Sequence, residues 1–287
     1  MDRHGAIDLH LHSNASDGEQ PPGEVVRSAA AKGLGTIALT DHDTLAGVEA
    51  AREAGAAAGV RVISGCEFSV SANWGEMHLL GYFLPPDSVE LARFLEDQRA
   101  KRTNRAAAMV RKLVAMGVKV RMEDVLAAAD GGALGRPHVA RALVAVGAVS
   151  GISEAFERYL AFGRPAFVPK ELPDIPAVTA LIKQVGGVSV AAHLKDRGST
   201  AAVQELKDLG VDGIEVLHPS HNESVRNRLL RATLAAGLLP TGGSDWHGDS
   251  RVDGERGALG SVDIPPEWLE RLEALHRSRA TAKEVQR

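Results

Sequence analysis

Ile7-Asp8-Leu9-His10-Leu11-His12, followed by Asp17, is the stretch of this chain with the clearest chemical potential. In an extended conformation it alternates, so Asp8, His10 and His12 share one face and Ile7, Leu9 and Leu11 the other. Two imidazoles one two-residue step apart can hold a metal ion between them. A His-x-His pair on a half-exposed strand is also an ordinary pair of outward polar residues, so the weight rests on the rest of the chain.

Apart from His78, the other groups able to bind metal recur at or just past the carboxyl ends of predicted strands. The run 36–40 is apolar, of strand length, and delivers Asp41-His42-Asp43; 61–67 ends in Glu67; 77–83 contains His78. Later, 188–192 is followed by His193, 213–217 by His218, and 238–241 by Gly243-Ser244-Asp245-Trp246-His247. Between these strands the spacing predicts helices, beginning with an Ala-rich one that has prolines at its start and Gly33 at its exit, then 44–58, 175–185, 200–209, 223–236 and 266–279. Strands alternating with helices predict a mainly parallel sheet, and α/β barrels gather their chemistry at the carboxyl ends of such strands.

From Asp87 to Gly163 the period is helical throughout, which predicts a helical insertion at 87–163 into a barrel formed by 1–86 and 164–287. The single cysteine, Cys66, lies opposite Glu67 on its strand and reads as a small core residue. One cysteine, no apolar run of membrane-spanning length and no signal-like start set a reducing, cytoplasmic location as the expectation, with no membrane partner. A net charge of −4 gives no general attraction to nucleic acid, so a phosphate-bearing ligand has to be held locally.

Asp8-x-His10-x-His12 with Asp17, Thr40-Asp41-His42, Glu67 ahead of His78, a lone strand-end His193 and Gly243-Ser244-Asp245-x-His247 together resemble the motifs of the PHP (polymerase and histidinol phosphatase) superfamily. The resemblance implies a distorted seven-stranded α/β barrel, a (β/α)7 barrel with the helical insertion, and a centre of three divalent metal ions. It implies a first metal on His10, His12, Glu67 and Asp245, a second on Glu67, His78 and His193, and a third on Asp17, His42 and His247. Asp17, His42, Glu67, Asp245 and His247 would then be the catalytic set. The insertion, with Gly135-Arg136-Pro137-His138 and Gly163-Arg164-Pro165, is similar to a bacterial branch of nucleotide phosphoesterases that remove the 3′-phosphate of 3′,5′-bisphosphonucleotides and trim short RNA from its 5′ end.

Imidazole and carboxylate without thiolate suit Mn²⁺, Fe²⁺, Zn²⁺ or Mg²⁺, with Mn²⁺ the expected occupant. Three such ions and the carboxylates of Asp17, Glu67 and Asp245 leave a net charge of +3, a site suited to phosphate. Clustered metals bring the pKa of a shared water toward neutrality, and no protein nucleophile is apparent. Asp8 and Asp41 are read as carboxylates that orient imidazoles. Arg136 and Arg164 offer paired donors for a second phosphate. His218 and His221 could contact phosphate or protonate the leaving oxygen, and His138 is expected inside the insertion.

The basic run from Arg99 to Lys112 reads as a solvated helix face, and Gly131-Gly132-Ala133-Leu134-Gly135 as a flexible turn rather than a phosphate loop. The expected activity is therefore a metal-dependent phosphoesterase acting on a small nucleotide, and on short single-stranded RNA. A phosphatase of another phosphomonoester, such as histidinol phosphate, and a metal-binding module without turnover are the competing readings.

Overall fold

The computed structural model describes residues 5–251 and 256–285. Seven strands form one sheet in the order β1-β2-β3-β4-β5-β6-β7: β1 is Ala6–Leu11, β2 Leu34–Leu39, β3 Arg61–Ala72, β4 Gly75–Tyr82, β5 Val188–Ala191, β6 Gly213–Leu217 and β7 Leu239–Gly242. Every pairing is parallel except those on the two sides of β4. Only Asn73 and Trp74 separate β3 from β4, far too few residues for a parallel crossover, so the chain turns back as a hairpin.

The two edges of the sheet meet just beyond the strands. The His12 amide donates to the Trp246 carbonyl (3.0 Å) and the Ser244 amide to Asp8 Oδ1 (2.9 Å). Gly243 allows this approach, because a Cβ there would lie 2.6 Å from the His10 backbone nitrogen. The expected α/β barrel thus closes through loop contacts rather than a full β1–β7 ladder.

Strand β1 departs from simple alternation. Its register against β2 shifts after Ala6 and again between Asp8 and Leu11. Ile7 and Leu9 consequently pack with Leu80, Tyr82, Val188, Val190 and the carboxy-terminal helix, whereas Leu11 joins the core between the first helices and β2. The Tyr82 hydroxyl locks Leu9 by donating to its carbonyl at 2.9 Å.

Helices α1 (Pro22–Ala31), α2 (Val48–Ala58), α7 (Ile175–Gln184), α8 (Thr200–Asp208), α9 (Glu223–Ala235) and α10 (Pro266–Val285) flank the sheet. Asp174, Ser199 and Asn222 cap α7, α8 and α9 by accepting from Ala177, Ala202 and Val225 amides. Helix α3 (Val89–Ala115) is 27 residues long, about 40 Å at 1.5 Å per residue. Leu91 and Leu95 near its start pack into the core of the sheet, and Ala106, Met109, Val110 and Leu113 near its end into a separate cluster with α4 (Met122–Ala129), α5 (Arg136–Ala145) and α6 (Ile152–Ala155). Four of the strand-end residues are non-glycine residues in the left-handed region: Asp43, His193, Lys195 and Asp245. Such conformations cost about 1–3 kcal/mol each and persist where the surroundings over-determine them.

Candidate metal and phosphate site

Strands β1 and β3 and the loop after β7 bring four donors together. His10 Nε2 and His12 Nε2 are 3.1 Å apart; Glu67 Oε2 lies 3.4 and 3.1 Å from them, and Asp245 Oδ1 3.4 and 3.3 Å. Four ligands placed tetrahedrally at metal bonds of about 2.0–2.2 Å are about 3.3–3.6 Å from one another, close to this arrangement. Two imidazole nitrogens in such contact need a proton or a cation between them and the carboxylates.

Glu67 is the hinge of the larger cluster. Its Oε2 faces His10, His12 and His42 (3.2 Å), while Oε1 faces His78 Nδ1 (2.7 Å) and His193 Nε2 (3.0 Å). On the far side of His12, the His247 Nε2 approaches Asp17 Oδ1 at 3.2 Å, and His12, Asp17, His42 and His247 converge as one group of possible ligands. The donors converge in four overlapping groups: His10/His12/Glu67/Asp245 and Asp17/His42/His247 with His12 match two expected sets, whereas Glu67 and His78 group with His42, His193 reaches Glu67 separately, and His10, Glu215 and His218 form a fourth.

The buried His12 Nδ1, His42 Nδ1, His78 Nδ1, His218 Nε2 and His247 Nε2 face carboxylates at 2.7 to 3.9 Å without completing a well-aligned hydrogen bond. Polar atoms taken from water without such bonds are costly, and coordination of cations would satisfy them. Ionisation tells the same story. Burial opposes charge on Asp17, Glu67 and Asp245, yet the surrounding imidazoles hold all three well below the carboxylate range. Burial likewise disfavours the charged form of His12 and His78, but neighbouring carboxylates push both up to about 9. An imidazole and carboxylate cluster of this kind fits divalent metals.

Around these donors lies a layer that the sequence reading assigned differently or did not notice. Glu215, mid-way along β6, was missed: its Oε1 is 2.9 Å from His10 Nδ1 and its Oε2 accepts from the His193 amide at 2.8 Å. Asp8 does not orient an imidazole. It accepts backbone amides of His10, Ser244 and Gly260, clipping β1 to the loops after β7. Asp41 likewise accepts from the Ser13 amide and from the Ser13 and Ser16 hydroxyls, which fixes the turn carrying Asp17.

Two adjoining cavities open onto the cluster. One, about 160 Å³, is lined by His42, Glu67, His78, His193, His218, Asp245 and His247 with Lys195 and Arg256. The second, about 170 Å³, shares His42, His78 and Arg256 with the first and adds Arg102, Arg105, Arg136 and Lys170. Arg136 thus reaches the site, its guanidinium set over the rings of Phe156 (5.7 Å) and Phe167 (5.9 Å).

Arg164 does not line these cavities. It is exposed in a turn closed by its own amide to the Ala161 carbonyl and by the Phe167 amide to its carbonyl. His218 lines the first cavity, with Nδ1 on the Ser220 hydroxyl. His221 does not: its Nδ1 is paired with the Val216 carbonyl, its Nε2 accepts from the Lys195 amide, and burial lowers it to about 4. It secures a loop instead of meeting phosphate.

The basic run is divided. Lys101 pairs with Asp97 at the surface, whereas Arg102 turns inward to Asp43 (Nε to Oδ2, 2.7 Å) and the Ser69 hydroxyl, and Arg105 to the Val168 carbonyl. The glycine-rich turn is docked, since the Ala133 amide donates to the Ala15 carbonyl and a Cβ on Gly132 would sit 2.6 Å from the Ser16 carbonyl oxygen. His138 is buried, its Nδ1 accepting from the Gly135 amide, and Cys66 is a buried free thiol.

Comparison with known proteins identifies the family. The PHP domain family profile matches residues 8–129. A Haemophilus influenzae protein named 5′-3′ exoribonuclease is 35% identical over 84% of this chain and 89% of its own length. A Chromobacterium violaceum 3′,5′-nucleoside bisphosphate phosphatase is 34% identical over 91% of this chain and 93% of its own. A solved structure from Bifidobacterium adolescentis, assigned as a metal-dependent phosphoesterase, superposes with a TM-score of 0.84 at 32% identity, covering 94% of this chain and 96% of that one. On the shared motifs, the relatives matched along nearly their full length and the common fold, the chain belongs to the PHP domain family of metal-dependent phosphoesterases.

Proposed function

We propose that the protein hydrolyses the 3′-phosphate of nucleoside 3′,5′-bisphosphates and, by the same geometry, the first phosphodiester of short 5′-phosphorylated RNA. Three metal sites, with Mn²⁺ as the expected ion, are assigned to His10/His12/Glu67/Asp245, to Glu67/His78/His193 and to Asp17/His42/His247. The observation that carries this reading is the second cationic cavity beside the metal cluster. A phosphomonoesterase needs only one phosphate pocket, and a neighbouring one lined by five cations against the carboxylates of Asp17 and Glu76 suits a second anionic group on the substrate.

Arg136, held flat by two aromatic faces, presents a preorganised fork to the 5′-phosphate. Arg102 and Arg105 are tethered by Asp43 and the Val168 carbonyl, and Lys170 pairs with Glu76, so these cations lose little freedom on binding. Burial and the facing charge of Arg136 bring Arg105 down to about 10, and burial with the charge of Arg102 lowers Lys170. A bound phosphate relieves that crowding of like charge. The insertion, which contributes Arg102, Arg105 and Arg136, acts as a lid over the barrel.

At the other phosphate, metal ions when bound would neutralise charge on the non-bridging oxygens and lower the pKa of the attacking water. With Glu215 counted, three divalent ions and four carboxylates leave a net +2 rather than the +3 expected from sequence. Water attacks phosphorus in line as the bond to O3′ breaks, and the products are a nucleoside 5′-phosphate and inorganic phosphate. His218 lines the cavity, with Nδ1 on Ser220 and Nε2 3.6 Å from Asp245 Oδ2, and is the candidate to protonate the leaving O3′. The buried thiol of Cys66 and the absence of any helix long and apolar enough to cross a membrane among the described residues accompany the cytoplasmic assignment. Kinetics on adenosine 3′,5′-bisphosphate against 3′-AMP test the proposal: the bisphosphate is expected to be strongly preferred, and equal kcat/KM would refute a second phosphate pocket.

A further inference from the structure

A third cavity adjoins the cluster and lies beyond the two assigned to the phosphates of the bisphosphate. It is an open groove of about 340 Å³ lined by Trp74, Glu76, Met77 and His78 from the β3–β4 hairpin and by His193, Lys195, Asp196 and Arg197 from the loop after β5. His78 and His193 are its shared wall with the metal-cluster cavity, and Lys195 lines both. None of the residues of the insertion that line the phosphate cavity enters it.

The loop is held where it is. His193 and Lys195 both have positive φ, the Lys195 amide donates to His221 Nε2 (3.1 Å), and its carbonyl accepts from Arg228 (3.0 Å). Glu76, engaged by Lys170, and the exposed Asp196, 3.8 Å from Arg228, also line the groove. Arg197 stands in it beside the half-buried indole of Trp74, whose buried Nε1 has no hydrogen-bond partner.

We infer that this groove receives the nucleotides that follow the scissile phosphate of a single-stranded oligonucleotide, with Trp74 as a base platform and Arg197 on the next phosphate. The inference rests on the proposed function. In both reactions the bond broken is phosphorus to O3′ of the 5′-terminal nucleotide. A monoester ends at that phosphorus, but a diester continues from it through O5′ and needs an exit beside the metals. This groove opens there, on the flank of His78 away from the insertion. Aromatic rings beside cations are the usual means of holding single strands without sequence preference.

The test uses Trp74→Ala and Arg197→Ala, neither of which lines the bisphosphate cavities. Both should hydrolyse adenosine 3′,5′-bisphosphate like the parent, while KM for a 5′-phosphorylated tetraribonucleotide rises about tenfold or more, the scale of losing one base stack. Anisotropy of a labelled tetranucleotide on the metal-free protein should show the same weakening, with Trp74→Phe retaining binding. An unchanged KM and unchanged binding overturn the groove assignment, as does a parent enzyme that turns over the bisphosphate but not RNA. A parent active on neither overturns the functional reading as well.

Discussion

Glu215→Gln isolates the contribution of the carboxylate behind the metal cluster. Glu215 is fully buried and joins two elements: one oxygen faces His10 Nδ1 at 2.9 Å, the other accepts from the His193 amide at 2.8 Å. The carboxylate fixes the His10 tautomer with Nε2 free toward the metal and anchors the strained turn at His193. Hydrogen bonds to a charged group contribute about 1.5–3 kcal/mol, and an amide keeps the shape but offers a single acceptor oxygen and no charge. Losing one such bond predicts about a 10- to 100-fold weaker metal at the His10 site. Calorimetric titration of Mn²⁺ into chelator-treated protein reads this directly, and the number of ions bound should stay the same. Affinity equal to the parent would refute the positioning role, and loss of one ion from the stoichiometry would make Glu215 a ligand.

Arg136→Ala should raise KM for adenosine 3′,5′-bisphosphate at least tenfold, about 1.4 kcal/mol or more for a charge-assisted pair, and leave 3′-AMP kinetics nearly unchanged. Chelation should abolish hydrolysis and lower the melting temperature by several degrees, since ions at about 100 times their dissociation constant stabilise the fold by about 2.7 kcal/mol per site. His221 is lowered to about 4 from an unfolded value near 6.5, so the stability it confers is fully present above about pH 6.5 and is lost as pH falls through about 4. That difference amounts to at most about 3 kcal/mol, and His221→Gln should flatten the corresponding limb of stability against pH measured by urea unfolding.

The candidate ligands were legible because most lie just past a strand or in a short motif where chemistry is the economical explanation for a buried imidazole, although Glu67 and His78 stand in the middle of β3 and β4 rather than at a strand end. Glu215 was not, since an acid in the middle of Gly213–Leu217 reads as an outward residue until the closed sheet and its helices bury both faces of the strand. Arg102 and Arg105 lie on a helix whose charge pattern looks solvated; they face a cavity because α3 runs from the core of the sheet into a separate helical cluster. Arg164 and Arg136 look equivalent as Arg-Pro pairs, yet one begins a helix against the site and the other lies in an exposed turn. Asp8 was assigned to an imidazole by strand alternation, which the register shifts in β1 break.

Phosphate release by the purified, Mn²⁺-loaded protein from adenosine 3′,5′-bisphosphate, set against 5′-AMP, 3′-AMP and histidinol phosphate, tests the central claim most directly. Metal chemistry coupled to a second phosphate pocket predicts a kcat/KM for the bisphosphate well above that for any of the monophosphates, lost in Arg136→Ala. Equal rates on all four, or none with metal bound at full occupancy, would contradict it.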